Sequence, residues 1–236
     1  MLRLSTVLAS LCLAALPACA QKGAGPLDSL EAEFVARGNE PGWRVTVGGD
    51  AVEIVAAYGE DTRSTPRSAT QVTDMGQTLE MPQINARLEV EDQLCRDDMS
   101  GMPYPNRAIL TLDSQAFRGC AGEARSLLTG DAWQIEDVMG GGVVDGAEVT
   151  IGFDAEGRAF GRAACNRFSG GYELTGEGIS FGPMAGTKMA CAPALMDLEI
   201  KVFEALGQVR RFDFDETGAL LLIGGPKGEA LLTARR

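Results

Sequence analysis

The sequence predicts a mainly β protein of two small antiparallel barrel or sandwich domains, the second carrying one packed α-helix over about residues 194–207. Three observations lead there. Apolar and polar residues alternate in short runs, which is the period of a strand with one buried face. Turn signals recur between those runs every ~8–12 residues, the spacing of sandwiches and barrels. A single segment breaks the alternation with helical spacing. The chain has 236 residues and is 45% hydrophobic. That is enough for two cores, since domains commonly hold ~100–150 residues.

The chain opens with Arg3 and an apolar run from Leu4 to Ala15. That run is too short for a membrane span of about 20 apolar residues, so residues 1–18 read as a secretory signal peptide. Leu16-Pro17-Ala18-Cys19 follows directly. It resembles the box at which bacterial lipoprotein signals are cut and the cysteine acylated, which makes Cys19 the expected lipidation site. Residues 19–31, polar and glycine-containing, read as a lipidated tether. Ala20 stands where an aspartate would be the known retention signal of the inner membrane, so the resemblance implies the outer membrane, facing the periplasm.

The first β domain is expected over 32–128. Trp43, Val45 and Val47 alternate with Arg44 and Thr46. Gly48-Gly49-Asp50 then turns the chain into Val52–Val55, a hairpin signature. Further strands are expected around Leu88 and Val90 and across Ala108–Leu112. The second domain is expected over 129–236. It opens at Trp133 and continues through Val149, Ile151 and Phe153, a turn at 154–157, Tyr172–Leu174 and Ile179–Phe181. Phe212–Phe214, Leu220–Ile223 and Leu231-Leu232 complete it. Leu195, Leu198, Val202 and Leu206 share one helical face, with Pro193 in the first turn and Gly207 expected to end the helix.

Of six cysteines, Cys12 leaves with the signal and Cys19 takes lipid. Four remain in an exported chain, which implies two disulfides. Their spacing suggests Cys95–Cys120 and Cys165–Cys191, each closing a loop of about 25 residues and worth about 3 kcal/mol from chain entropy alone. A four-cysteine metal site is disfavoured, because no Cys-x-x-Cys pair occurs. The chain contains no histidine, which removes Ser-His-Asp and Cys-His catalysis and His-ligated zinc. The net charge of −12 argues against nucleic acid and against polybasic adhesion to lipid. Membrane contact is expected through the lipid alone, with no cofactor and no metal.

Two sets of motifs carry a resemblance. Gly161-Arg162-Ala163-Ala164-Cys165-Asn166-Arg167-Phe168-Ser169-Gly170-Gly171-Tyr172, then Thr187-Lys188-Met189-Ala190-Cys191, Leu195-Met196 and Glu199, resemble the META domain, the HslJ-type family of bacterial secreted proteins and lipoproteins. The resemblance covers about Gly130–Arg236. It implies a small barrel with one helix and supplies no catalytic residue. Some members are associated with heat-shock response or antibiotic tolerance. Gly38-Asn39-Glu40-Pro41-Gly42-Trp43, with the segments around Cys95 and Cys120, resembles the Gly-Asn-Glu-Pro-Phe-Trp family of uncharacterised envelope proteins. Here Gly42 departs from phenylalanine.

The function expected is a non-enzymatic envelope lipoprotein that binds a ligand or protein partner or supports envelope stress tolerance. Asn166, Tyr172 and Tyr104 are the candidate recognition residues. Asn166 tolerates left-handed backbone and bonds nearby main chain, so it serves either a turn or a ligand. Tyr104, between two prolines, forms either an exposed recognition loop or a rigid connection. Two alternatives are kept. One is a lysozyme- or protease-inhibitor-like module, suggested by Ser169-Gly170-Gly171-Tyr172 and the acidic surface. The other is a carboxylate-based hydrolase using Asp97-Asp98, disfavoured because neighbours on a strand point to opposite faces. Gly170-Gly171 reads as a bulge or turn, Asp213–Gly218 as a hairpin turn, and Met99, Met102, Met184, Met189 and Met196 as gap-filling core residues.

Overall fold

A computed structural model describes Leu27 and residues 33–236. Cys19, the expected signal peptide and most of the expected tether lie outside the described residues. Two curled, nearly closed antiparallel sheets make up the structure, with one helix. The first is built from β1 (Phe34–Asn39), β2 (Gly42–Val47), β3 (Ala51–Ala56), β4 (Asp61–Pro66), β5 (Thr70–Val72), β6 (Gly76–Met81) and β7 (Ala86–Glu91). A two-stranded ladder, β8 (Cys95–Arg96) with β9 (Pro103–Tyr104), interrupts it before β10 (Asn106–Leu112) and β11 (Gln115–Ala121). The strand order is β4-β3-β2-β1-β11-β10-β7-β6-β5. β1 pairs with β11 across most of the length of this half, and β7 with β10 across the ladder. Hairpins make the other neighbours.

Alternation sets the register. In β2, Trp43, Val45 and Val47 are buried and Arg44 is exposed. Opposite them in β3, Val52 and Ile54 are fully buried. A one-residue slip would turn these side chains to solvent. Leu79, Leu88, Val90 and Leu110 close the same core, and Leu27 belongs to it. The Leu27 N–H donates to the Gln77 side chain at 2.7 Å.

The second sheet contains β12 (Trp133–Val138), β13 (Val149–Phe153), β14 (Arg158–Ala163), β15 (Asn166–Leu174), β16 (Ile179–Phe181) and β17 (Ala185–Gly186). Helix α1 (Pro193–Gln208) then leads to β18 (Val209–Phe214), β19 (Leu220–Gly224) and β20 (Glu229–Arg235). The order is β16-β15-β14-β13-β12-β20-β19-β18, with β17 on β15. β16 packs beside β18 and curls the sheet. α1 buries Leu198, Val202, Ala205 and Leu206 against β12, β14, β16 and β20.

Several expectations are corrected. Gly207 lies inside α1, and Val209 is extended immediately after the helix (φ −61°, ψ 136°), so the strand and not a glycine cap ends it. Gly170-Gly171 is neither bulge nor turn. Both pair regularly with β14, and Gly170 is small because a Cβ there would lie 2.5 Å from the Met184 sulfur. Phe181, which the periodicity of its strand places in the core, is only half-buried, packed on Phe153 and Tyr172. Met102 is buried and Met184 packs against the core, but Met99 and Met189 are 77% and 51% exposed. The Asp213–Gly218 turn forms as expected, with the Asp215 carboxylate accepting from the Thr217 and Ala219 N–H groups at 2.8 and 2.9 Å.

The two halves share a core. Met102, Tyr104 and Cys120 belong to the same buried cluster as Trp133, Phe168 and Phe212. Arg96 of β8 reaches Asp213 of β18 through its Nε at 2.9 and 3.0 Å, and donates to the Phe214 carbonyl at 2.8 Å.

Candidate functional site

The hairpin joining β1 to β2 is the Gly38–Trp43 motif. Gly38 and Trp43 are cross-strand partners, and a Cβ on Gly38 would sit 2.3 Å from the indole nitrogen. The missing side chain lets that indole donate to the Arg118 carbonyl at 3.3 Å. The ring of Tyr58 occupies the space beside Gly42, where a Cβ would come within 2.8 Å of it. The Tyr58 hydroxyl donates to the Asn39 carbonyl at 3.1 Å. Gly42 thus accommodates an aromatic ring supplied from elsewhere in the chain.

Asn39 ties this hairpin to the disulfide loop. Its amide donates to Asp97 Oδ2 at 2.8 Å and to Asp98 Oδ1. Asp97 Oδ1 accepts from the Ser100 N–H and hydroxyl at 2.8 and 2.7 Å and from the Met99 N–H at 3.2 Å. Burial raises the Asp97 pKa, but the hydrogen bonds from Ser100, Asn39 and Met99 outweigh it, and the carboxyl sits below its ordinary value. The strand argument against convergence of Asp97 and Asp98 fails. The chain leaves β8 at Arg96, and both acids meet on one amide. They meet around Asn39, already bonded, and not around an open position.

The Cys95–Cys120 disulfide fastens the loop to β11, with Cα atoms 5.5 Å apart. Tyr104 is 5% exposed and paired with Cys95. Of the two readings of its prolines, the rigid connection is the one that forms. The Arg37 guanidinium lies over its ring, 5.2 Å from the centroid. Between this loop and the 176–177 turn of the second half opens a cleft of about 480 Å³, lined by Arg37, Asn39, Asp97, Met99, Ser100 and Tyr104 and by Gly176 and Glu177.

The other candidates lie apart from the cleft. Asn166 is 1% exposed. Its Oδ1 accepts from the Thr187 hydroxyl at 2.7 Å and the Met189 N–H at 2.8 Å. Its Nδ2 donates to the Met189 carbonyl and to Glu199, both at 3.2 Å, and its N–H donates to Glu199 at 2.9 Å. The left-handed residue here is Ala164 (φ 59°), not Asn166. Asn166 instead bonds across more than twenty residues, fixing β15, the 187–189 segment and α1 beside the Cys165–Cys191 disulfide. With its amide saturated, it has no capacity left for a ligand. Tyr172 is 6% exposed and donates to the Asp154 carbonyl at 2.9 Å. Burial raises its pKa. Because Ser169–Tyr172 is strand, it presents no inhibitory loop.

Arg37, Asn39 and Met99 are not among the candidates that the sequence singles out. Asn39 carries a signal, its place in the Gly-Asn-Glu-Pro motif. Arg37 carries none, because its interest depends on what does not face it.

Residues 126–236 match the family model of the META domain. No curated protein matches the chain. A protein from Burkholderia xenovorans, solved by NMR, is 28% identical over 48% of this chain and 86% of its own, with a TM-score of 0.39. A second NMR structure is 26% identical over 46% of this chain and 90% of its own, with a TM-score of 0.37. The part of the chain that runs from the end of the first sheet through α1 to β20 is thus similar to the META domain family.

Proposed function

We propose that this protein is a non-enzymatic, HslJ-like lipoprotein of the bacterial envelope, anchored through Cys19, whose binding site is the cleft between its two halves. The observation that carries the reading is the construction of that cleft. Its walls are fixed before anything binds, by a disulfide, by the Asn39–Asp97 hydrogen bond and by the Arg96–Asp213 ion pair across the halves. Preorganised walls reduce the ordering cost of association. The chemistry of the lining supports binding over catalysis. With no histidine in the chain, general acid–base work falls chiefly to carboxylates, and Asp97, held ionised by its hydrogen-bond donors, is removed as a general acid. Lipid supplies the membrane contact, and several acyl chains hold firmly where one gives marginal attachment.

A photo-crosslinking residue at the exposed Met99, in lipidated protein within intact envelopes, tests the binding site. Capture of one recurring species at Met99, absent when the probe is moved to the far end of the first sheet, is the expected result. Turnover of an envelope substrate by purified protein, abolished by Asp98→Asn, would overturn the non-enzymatic reading. Recovery of wild-type protein in the soluble periplasmic fraction would overturn the anchor.

A further inference from the structure

We propose that the cleft takes a small ligand through its carboxylate or phosphate group, with Arg37 as the residue that receives it. The inference rests on the binding role proposed above and names the ligand class. Arg37 lines the cleft, and its side chain has no hydrogen bond or ion pair to any described residue. Its Nε is buried and unbonded. A charged guanidinium left without a partner costs free energy that a ligand oxygen on its terminal nitrogens, which are not buried, would restore. Tyr104 holds the guanidinium against its ring, a contact that leaves the two terminal nitrogens, in the plane of the group, open as a fork. That fork matches the paired oxygens of a carboxylate or phosphate.

The surroundings favour an anion. Arg44 stands directly opposite Arg37 on the outer face of β1 and β2, and like charges so placed repel. Cys120 is the partner of Arg37 in β11, and Arg118, two residues away on the same face, adds a third positive charge. Neither Arg44 nor Arg118 forms an ion pair among the described residues. The nearby carboxylates are committed elsewhere: Asp97 and Asp98 to Asn39, Asp213 to Arg96, and Glu91 to Arg107. Three unneutralised arginines on one face stand out in a chain of net charge −12. Glu177, on the opposite wall, makes no ion pair with Arg37. It disfavours a polyanion and suits a hydroxyl or ammonium group, so the ligand class is a small hydroxy or amino compound with one acidic group.

The test is NMR of the arginine Nε–H signals of the mature protein, titrated with acetate and separately with inorganic phosphate at ionic strength held by sodium chloride. Saturable shifts centred on Arg37 are expected, and the stronger of the two anions identifies the acidic group. Arg37→Gln should weaken binding about tenfold, the order of a lost charge-assisted pair, and Arg37→Lys should restore it only in part, because lysine lacks the fork. Glu177→Gln should tighten it. Unchanged amide spectra of each variant establish that the fold is intact. Arg37 signals that respond to neither anion beyond the chloride control would overturn the proposal, as would uniform shifts of all exposed arginines that survive Arg37→Gln. If Met99 crosslinking persists in Arg37→Gln, the binding role stands and the acidic-ligand class falls. If crosslinking is lost with no oxyanion binding in the wild type, both fall.

Discussion

Asn166 shows how one buried polar side chain fixes several segments. All of its amide hydrogen-bonding capacity is used, and its partners lie on β15, the 187–189 segment and α1. Asn166→Ala should cost about 2–3 kcal/mol, because it leaves the buried main-chain groups of Met189 unpaired. Urea denaturation would measure this, and an unchanged midpoint would contradict the network. Asp97 makes a pH-dependent contribution of known sign. Its pKa is lower in the folded chain than the unfolded value of about 3.9. Its stabilisation is therefore fully present above that value and is lost as pH falls through the folded pKa. The stability difference between wild type and Asp97→Asn should shrink between neutral pH and pH near 3. A difference independent of pH would assign the effect of the substitution to packing.

At the scale of elements, Gly207 gives a prediction opposite to its sequence reading. It sits in the last turn of α1, a methyl group at its Cα would meet no side chain within 4 Å, and its φ is not positive. Gly207→Ala should stabilise the protein by about 0.5–1 kcal/mol, the propensity difference in a helix interior. A lower thermal midpoint would mean that the glycine is needed where it stands. The strands with alternation, such as β2, β3, β7 and β13, are legible in the sequence because burial on one face dictates their residues. β4 is not, since Asp-Thr-Arg-Ser-Thr-Pro is an edge strand with little to bury. Its Arg63 is held between Asp61 and Asp113, and the hydrogen bonds to Arg63 lower the pKa of both acids. The candidate site is legible only as isolated motifs. The Gly-Asn-Glu-Pro hairpin and the Cys95 loop are both visible in sequence, but their meeting at Asn39 depends on the long-range pairing of β1 with β11. A strand argument misjudges Asp97-Asp98 because a two-residue β8 ends sooner than it assumes.

For the whole molecule, the shared core makes the two halves energetically dependent. The chain has two tryptophans, Trp43 in the first core and Trp133 in the second, so Trp43→Phe and Trp133→Phe variants each leave one half reporting. Their unfolding transitions should coincide. Tyr104→Ala should cost about 3 kcal/mol, in the range for large-to-small core changes, and should lower the transition reported by Trp133 although residue 104 precedes the stretch that matches the META domain. A Trp133 transition unmoved by Tyr104→Ala would mean that the halves unfold independently.

The pairing of β12 with β20 has a consequence for the order of assembly. Gln134 pairs with Arg235 and Ile135 with Ala234, so the first strand of the second sheet must wait for the last one to emerge. The first sheet closes in the same way but sooner, since β1 waits only for β11. Closing so long a loop is slow, because its entropy is lost before any contact compensates. As the chain emerges amino-terminal end first, all strands of the first sheet are therefore available for pairing while Trp133 is still without its β20 partner. Until then the apolar face of β12 and β13 is the part of the chain most open to mispairing.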